Sequence, residues 1–424
     1  MDDFLVIADG TRLESQLARH DPSAFGESLA KAREHFGYAM CHCTSPARKL
    51  VIRRLGHAHH LAVWPEDGPN HHLRCAFYRE QSAPTGPDLD LPAAMETEHG
   101  LDVKLDFALV ESAPPVGASG PTPSAPNTTF TAPRTVSPTR HRKGLALAEL
   151  LDLLWSRADL ARWMPGWSRD YWRVHWQLSC ASNEIQVCQQ ALGELLFVPP
   201  PVNGGRRPDA LAQWESFAEA MAGGGESKVS RLLLGEVHTI EPSKFGWALR
   251  LKQFAPTVFV DDASHDQLEM DPAFQLAVHC TEQAQQRGDP GAEPSARLLA
   301  CCRVRRSKSG NLKLVEAALM CTDGSFIPIH TLAERQLSTY LVKSRRNFSR
   351  PLPIAATGAP AFELRDSEPP ARLYVEHDSG VEPGGHGPTT TTSPPQDGWQ
   401  SWFWHPTENW RWPPLPASAS RARV

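Results

Sequence analysis

CHCTSPARKLVIRRLGHAHHLAVWPEDGPNHHLRC, residues 41–75, carries three cysteines and six histidines. Its middle reads as two short strands, KLVIRRL (49–55) and HHLAVW (59–64), joined at Gly56. A hairpin there returns Cys75 to the neighbourhood of Cys41 and Cys43. Only one residue separates Cys41 from Cys43, so on extended backbone both sulfurs face the same side. His71 and His72 precede Cys75 closely, and either imidazole can approach the same point. Three thiolates and one imidazole are the closed tetrahedral donor set of structural zinc. The first pair is C-x-C rather than the C-x-x-C of a standard finger, so the alternative is a reduced, metal-free cluster on a hairpin. His57, His59 and His60 read as surface residues. A closed set leaves no open coordination position, so the expected role of a Zn2+ ion is structural rather than catalytic.

Outward from this stretch the chain changes character several times. Residues 1–111 form an N-terminal Cys/His module, with a helix at FGESLAKAREHFG that stops at Gly37 and a further strand at GLDVKLDFALVE. Residues 112–144 are rich in Pro, Ser, Thr and Gly and are expected to be a disordered linker. Residues 145–230 are helical and Trp-rich. The helices are LALAELLDLLWSRADLARWM, ended by Pro165; SRDYWRVHWQLSCASNE, capped by Ser168; and QVCQQALGELL. Trp155, Trp163, Trp167, Trp172 and Trp176 are expected in a core. Residues 231–377 are strand-rich, FIPI among the strands, with one helix at TLAERQLSTYLVKSRRNF. Residues 378–398 read as flexible, and the Trp-rich tail 399–424 is too aromatic to be left in water and should dock. The fold class is α+β and multi-domain: a small metal-type hairpin module, a helical middle, and a body built on a mixed or antiparallel sheet.

The chain totals restrict the function. A net charge of −5 and a pI near 6.4 give no global basic field, so nucleic-acid binding would need a local patch. Apolar runs reach only about eight residues, short of the ~20 of a spanning helix, and the acidic start MDDFLVIADG is unlike a secretory signal. A cytoplasmic protein without membrane contact is expected. The six cysteines outside the opening stretch read as small buried hydrophobes.

Two basic segments offer a patch. RVRRSKSGNLK puts Arg303, Arg305, Arg306, Lys308 and Lys313 at a hairpin turn, and KSRRNFSR puts Lys343, Arg345, Arg346 and Arg350 at a helix end. On one surface they would follow a phosphate backbone, with Arg305, Arg306, Lys308, Arg345 and Arg346 as the expected contacts. No metalloprotease, hydrolase or dinucleotide motif occurs, and GGGESK lacks the ending of a phosphate loop. Glu334, Glu363, Asp366 and Glu376 could mimic the acidic cluster of a restriction-type, metal-dependent nuclease, but Glu376 is followed by His377 and Asp378 where a lysine is needed.

The C-x-C and H-x-x-x-C spacings recur in order with GLDVKLDFAL, LLDLLWSRADLARW, LLLGEVHTIEPSKFGWALRLK, VEAALMCTDGSFIPIHTLAERQL and FELRDSEPPARLYV. Together these resemble domain-of-unknown-function family 1173, proteobacterial proteins with three N-terminal cysteines, often found on integrating conjugative elements. The resemblance implies no assigned activity. It favours His71 as the fourth ligand and implies an accessory protein of a mobile element, with DNA, RNA or a protein encoded by the same element as partner. FSRPLPI, 348–354, departs from the basic and aromatic close usual at that point of the family.

Overall fold

The computed structural model describes residues 4–56, 58–79, 94–97, 100–110, 144–202, 207–221, 229–286, 296–352, 359–375, 398–404, 406 and 414–418. The linker expected over 112–144 and the stretch expected over 378–398 lie almost wholly outside them, as does Glu376.

The N-terminal module is an antiparallel sheet in the order β2-β1-β3-β4-β5, from β1 (Leu5–Ala8), β2 (Thr11–Glu14), β3 (Tyr38–Cys41), β4 (Arg48–Leu55) and β5 (Ala58–Val63). Helices α1 (Ser15–His20) and α2 (Gly26–His35) accompany it. The alternation in KLVIRRL turns Leu50 and Ile52 into a core shared with Leu29 and Ala32 of α2.

Next come β6 (Ala94–Thr97), β7 (Gly100–Val103), α3 (Leu147–Arg157), β8 (Arg162–Trp163) and α4 (Tyr171–Glu184). Leu147, Leu150, Leu151 and Leu154 are buried, as the helical spacing requires. The helix ends at Arg157, well before Pro165, because Asp159 adopts φ +55 and its carboxylate turns back to Arg19 at 2.5 Å. Asp170, not Ser168, caps α4, accepting from the Arg173 N–H. The helix expected at QVCQQALGELL is instead β9 (Ile185–Val187), a turn at Cys188 and Gln189 with φ +51 and +67, β10 (Gln190–Ala191), α5 (Leu192–Leu195) and β11 (Leu196–Phe197). Pairing of β9 with β7 prevailed over local helical spacing. Trp155, Trp163 and Trp167 are core residues, whereas Trp172 is exposed.

Helix α6 (Arg207–Ala218) leads to a closed barrel. Its strands are β12 (Arg231–Ser243), β13 (Gly246–Leu251), β14 (Val258–Val260), β15 (Ala296–Arg306) and β16 (Leu312–Asp323), with α7 (Asp262–Glu269) and α8 (Pro272–Gln286) between β14 and β15. The first half of β12 pairs with β15 and the second half with β13, both antiparallel. Strand β13 runs antiparallel to β14, β14 parallel to β16, and β16 antiparallel to β15, which closes the ring. Leu249, Leu251, Val258, Val260, Cys302, Val304 and Leu314 fill it. The opposite side chains of β12, β15 and β16, including Leu232, Leu234, Leu299 and Met320, pack in the same core as α3. Helix α6 falls within the expected helical segment 145–230, whereas α7 and α8 are absent from the sequence reading, although Asp261 and the Asp271–Pro272 pair are helix-start signals, and the side chains of both aspartates accept backbone N–H bonds. FIPI contributes only a bridge, Thr322 to Pro328.

After α9 (Leu332–Lys343), capped by Thr331, come β17 (Phe348–Ser349), β18 (Phe362–Leu364), β19 (Ala371–Val375) and β20 (Gln400–Trp404). With β8 they form a sheet in the order β20-β19-β18-β17-β8. The tail docks as expected: β20 lies parallel to β19 with Trp402 and Trp404 buried. The whole is a mixed α+β architecture. The expected boundaries at 111, 145 and 231 do not separate the sheets, since β7 pairs with β9, β11 with β12, and β8 with β17. Among the described residues no helix is long and apolar enough to cross a membrane.

Candidate metal centre

Cys41 closes β3, opposite Val6 and Arg48, on the same inward side as Ala39. Cys43 follows in the connection to β4. After β5 the chain enters a short 3-10 turn, Gly68–Asn70, fastened to β4 by the Arg48–Asp67 pair at 3.4 Å and by Asn70 donating to Asp67 at 2.8 Å. The Arg79 N–H donates to the Gly68 carbonyl at 3.2 Å, and a Cβ on Gly68 would lie 2.9 Å from that of Arg79. Only glycine lets the two ends of the strap carrying His71 and Cys75 approach so closely.

The result is convergence. Cys41 Sγ and Cys75 Sγ are 3.6 Å apart, Cys43 Sγ and His71 Nδ1 3.2 Å, and Cys75 Sγ and His71 Nδ1 3.9 Å. All four donors are buried and lie within 4.8 Å of one another. Tetrahedral zinc bonds of about 2.3 Å to sulfur and 2.0–2.1 Å to nitrogen would separate two sulfurs by about 3.8 Å and a sulfur and a nitrogen by about 3.6 Å. The cluster therefore has the composition and edge lengths to hold a metal ion. Backbone N–H groups of His72 and Phe77 point at Cys43 and Cys75, at 3.4 and 3.5 Å, and favour their thiolates. Hydrogen bonds from Cys41 and Cys75 hold Cys43 far below the ordinary thiol range, whereas its bonds to Cys43 and Cys75, with burial, push Cys41 far above it. The bond with Cys41 lowers Cys75, but its bond to Cys43 and its burial prevail and push it up to about 12. His72 is not a donor: its ring lies 4.8 Å from Phe4 and its Nδ1 accepts from the Arg74 N–H.

The centre is walled on one side by residues from 162–167. Met164 and Trp167 share its core. The buried Arg162 donates to the carbonyls of Ala76 and Tyr78, both at 3.4 Å, on either side of the strap beyond Cys75. Its Nε and Nη2 find no hydrogen-bond partner among the described residues. Burial and then Arg365 lower its pKa to about 10 against the pull of Asp159 and Cys75. Asp159 itself already bridges Arg19 at 2.5 Å and faces Arg79 at 4.0 Å. None of these charges stood out in the sequence, where Arg19 and Asp159 are far apart and each resembles a surface residue.

The basic residues separate. Lys308 is exposed at the β15–β16 turn, where Arg305 donates to Ser230, Arg306 pairs with Glu215 at 2.9 Å, Arg303 with Glu316 at 3.1 Å and Lys313 with Asp261 at 3.8 Å. At the end of α9, Lys343 and Arg345 are exposed. Arg346 and Arg350, expected on the surface, are buried instead, because Arg346 forks onto Asp366 and Arg350 pairs with Glu334 at 3.0 Å. The carboxylates considered for a nuclease do not gather among the described residues: Glu334 and Asp366 hold these arginines, and Glu363 pairs with Arg365 at 3.2 Å. The other acidic group, His265, Asp266 and Glu269, sits on α7, with His265 stacked on Trp247 and both acids exposed.

A family model described as "Protein of unknown function (DUF1173)" matches residues 12–407. The chain belongs to this family. No curated protein and no solved structure gives a significant match. In this DUF1173 chain the matched region includes all four donors, Arg162 and the whole barrel.

Proposed function

We propose that this DUF1173 chain is a non-enzymatic nucleic-acid-binding protein, an accessory factor of a mobile element, whose N-terminal module is built on a structural zinc ion. The observation that carries the binding half is the barrel. Its order, β12-β13-β14-β16-β15 and back to β12, with a parallel contact between its third and fifth strands, is that of the OB barrel. OB barrels take oligonucleotides and oligosaccharides on one face. A fold does not choose a ligand. Lys308, exposed in the β15–β16 loop, and Arg306 at the end of β15 beside it support a phosphate-bearing ligand over a neutral sugar. The mobile-element setting follows the resemblance of the sequence motifs.

The zinc half rests on the donor set. Three sulfurs and an imidazole favour zinc over the hard cations that carboxylates hold. Four protein donors fill a tetrahedron and leave no position for water or substrate, so the ion's role is structural.

Two measurements test the reading. Elemental analysis should find one zinc per chain, lost in Cys43→Ser, with unfolding of residues 4–79, since structural zinc contributes about 10–16 kcal/mol of apparent binding energy. Fluorescence anisotropy should detect nucleic-acid binding that weakens with salt, with a log–log slope near −0.7 to −0.9 per phosphate contact. Absence of salt-sensitive binding at low ionic strength would sink the nucleic-acid half and make a protein encoded by the same element the better partner.

A further inference from the structure

We infer that the open β13–β14 face of the barrel, with the loops Ser243–Gly246 and Arg306–Asn311, binds single-stranded nucleic acid, and that the cleft beside Phe259 receives a base. The inference rests on the nucleic-acid reading above and adds to it the strandedness and the site.

The barrel has one face to spare. Its β12, β15 and β16 side packs in one core with α3. On β13 and β14, Leu249, Leu251, Val258 and Val260 point inward, so alternation places Ala248, Arg250 and Phe259 on the other side, where Arg250 is exposed, Phe259 is half-buried and Ala248 is covered. Phe259 stands opposite Lys313 of β16. The two loops lie at opposite ends of β14, because Gly246 reaches Val260 and Leu312 pairs with Val258. At one end Phe245 is 81% exposed, with Lys244 Nζ 5.3 Å from its ring centre. Gly246 has φ +102, and a Cβ there would lie 2.6 Å from the Val260 carbonyl oxygen, so glycine is required for the hairpin that presents Phe245. At the other end the Ser307 N–H donates to the Asn311 carbonyl at 2.8 Å, closing a loop that exposes Lys308.

Beside the Arg306–Asn311 loop lies a cleft of about 350 Å³, lined by Trp214, Pro256 and Phe259 and edged by Asn311, Arg306 and the Glu215 carboxylate that pairs with it. The Arg306 Nε is buried and has no hydrogen-bond partner among the described residues. The partly exposed Phe259 ring, with a guanidinium at the rim, suits a nucleobase and its phosphate. Lys244, Arg250 and Lys308 have no carboxylate partner among the described residues, which leaves them free for phosphates. Glu215, Glu241 and Asp261 share this side and weaken its field, so binding should depend on stacking as well as on charge. A duplex keeps its bases stacked on one another and offers none to Phe245 or to the cleft, which selects single strands.

The test uses the full chain and fluorescein-labelled oligonucleotides of about fifteen residues, the upper range of one OB barrel: oligo(dT), oligo(U) and a mixed duplex. Anisotropy should show single strands bound more tightly than duplex, and comparing dT with U assigns DNA or RNA as the preferred strand. Phe245→Ala with Lys308→Glu should weaken single-strand binding by about tenfold or more, and Lys308→Glu alone should reduce the salt slope by about one contact. Both changes are at exposed loop positions, so circular dichroism should be unchanged. Arg345→Glu, in the turn after α9 and outside the barrel, should bind as wild type. If the double variant binds like wild type, or duplex binds as well as single strands, the site is overturned while the nucleic-acid reading stands. If wild type binds none of the three probes, both are overturned.

Discussion

Arg345 is exposed at the end of α9, whereas the guanidinium of Arg346, one residue later, is buried and forked on Asp366. Arg345→Glu should therefore change stability by no more than about 0.5 kcal/mol. Arg346→Ala leaves the half-buried Asp366 carboxylate without its cation, with only the Asn347 N–H among the described residues to hold it, and should cost about 2–3 kcal/mol in a denaturant titration. Equal effects would contradict the placement. Arg162 supports a second residue-scale expectation. A zinc ion on three thiolates and a neutral imidazole carries one net negative charge, and a buried anion needs a cation beside it. With zinc bound, Arg162 would be that cation, since it interacts electrostatically with Cys75 and has two nitrogens without a hydrogen-bond partner among the described residues. Arg162→Met should weaken zinc binding by about tenfold, read by competition with a chromophoric chelator; an unchanged affinity in the folded variant argues against the pairing.

Single elements carry long-range weight. Strand β20 arrives parallel to β19, and its Trp402 and Trp404 complete the core beneath α9, with Trp402 Nε1 donating to the Pro414 carbonyl. Trp404→Ala should destabilise the protein by about 3–5 kcal/mol, and a chain ending before Gln400 should lose the cooperative transition of this sheet in a thermal melt. A truncated chain as stable as the full one would show that the tail merely rests on the surface.

Across the whole molecule, buried titratable groups tie the N-terminal module to residues 159–184, through His20 on Trp167, Arg19 on Asp159 and His60 on Glu184. His20, stacked on Trp167, is lowered to about 4 by burial and then by Arg173 and Arg169; His175 is lowered to about 4 by burial. Their folded pKa values lie below the ordinary 6.5, so their stabilisation is present above that pH and is lost as pH falls from 6.5 towards 4. The loss approaches about 3 kcal/mol per histidine. Asp159 and Glu184 extend it: burial alone would raise both, but the guanidiniums around Asp159, and for Glu184 the His60 bond and then Arg79, hold them low, so their contribution fades below about pH 4. Denaturation midpoints should fall steeply between pH 6.5 and 4; a flat profile would mean that these groups are solvated.

Local chemistry made much of this legible. The alternation of KLVIRRL, the leucine spacing of α3 and the short C-x-C to H-x-x-x-C interval make legible the hairpin, the helix and three of the four donors, with the fourth narrowed to His71 or His72, because each depends on neighbours in the chain. The choice of His71 over His72 came from the family resemblance and is visible geometrically only once the strap is folded. The end of α3 at Arg157, the strands at QVCQQ, the burial of Arg346 and Arg350 and the closure of the barrel were decided by tertiary structure. In each case a distant partner, such as Arg19, β7, Asp366 or β14 against β16, outweighs a local preference of about 1 kcal/mol, and a linear sequence does not say which distant residues meet.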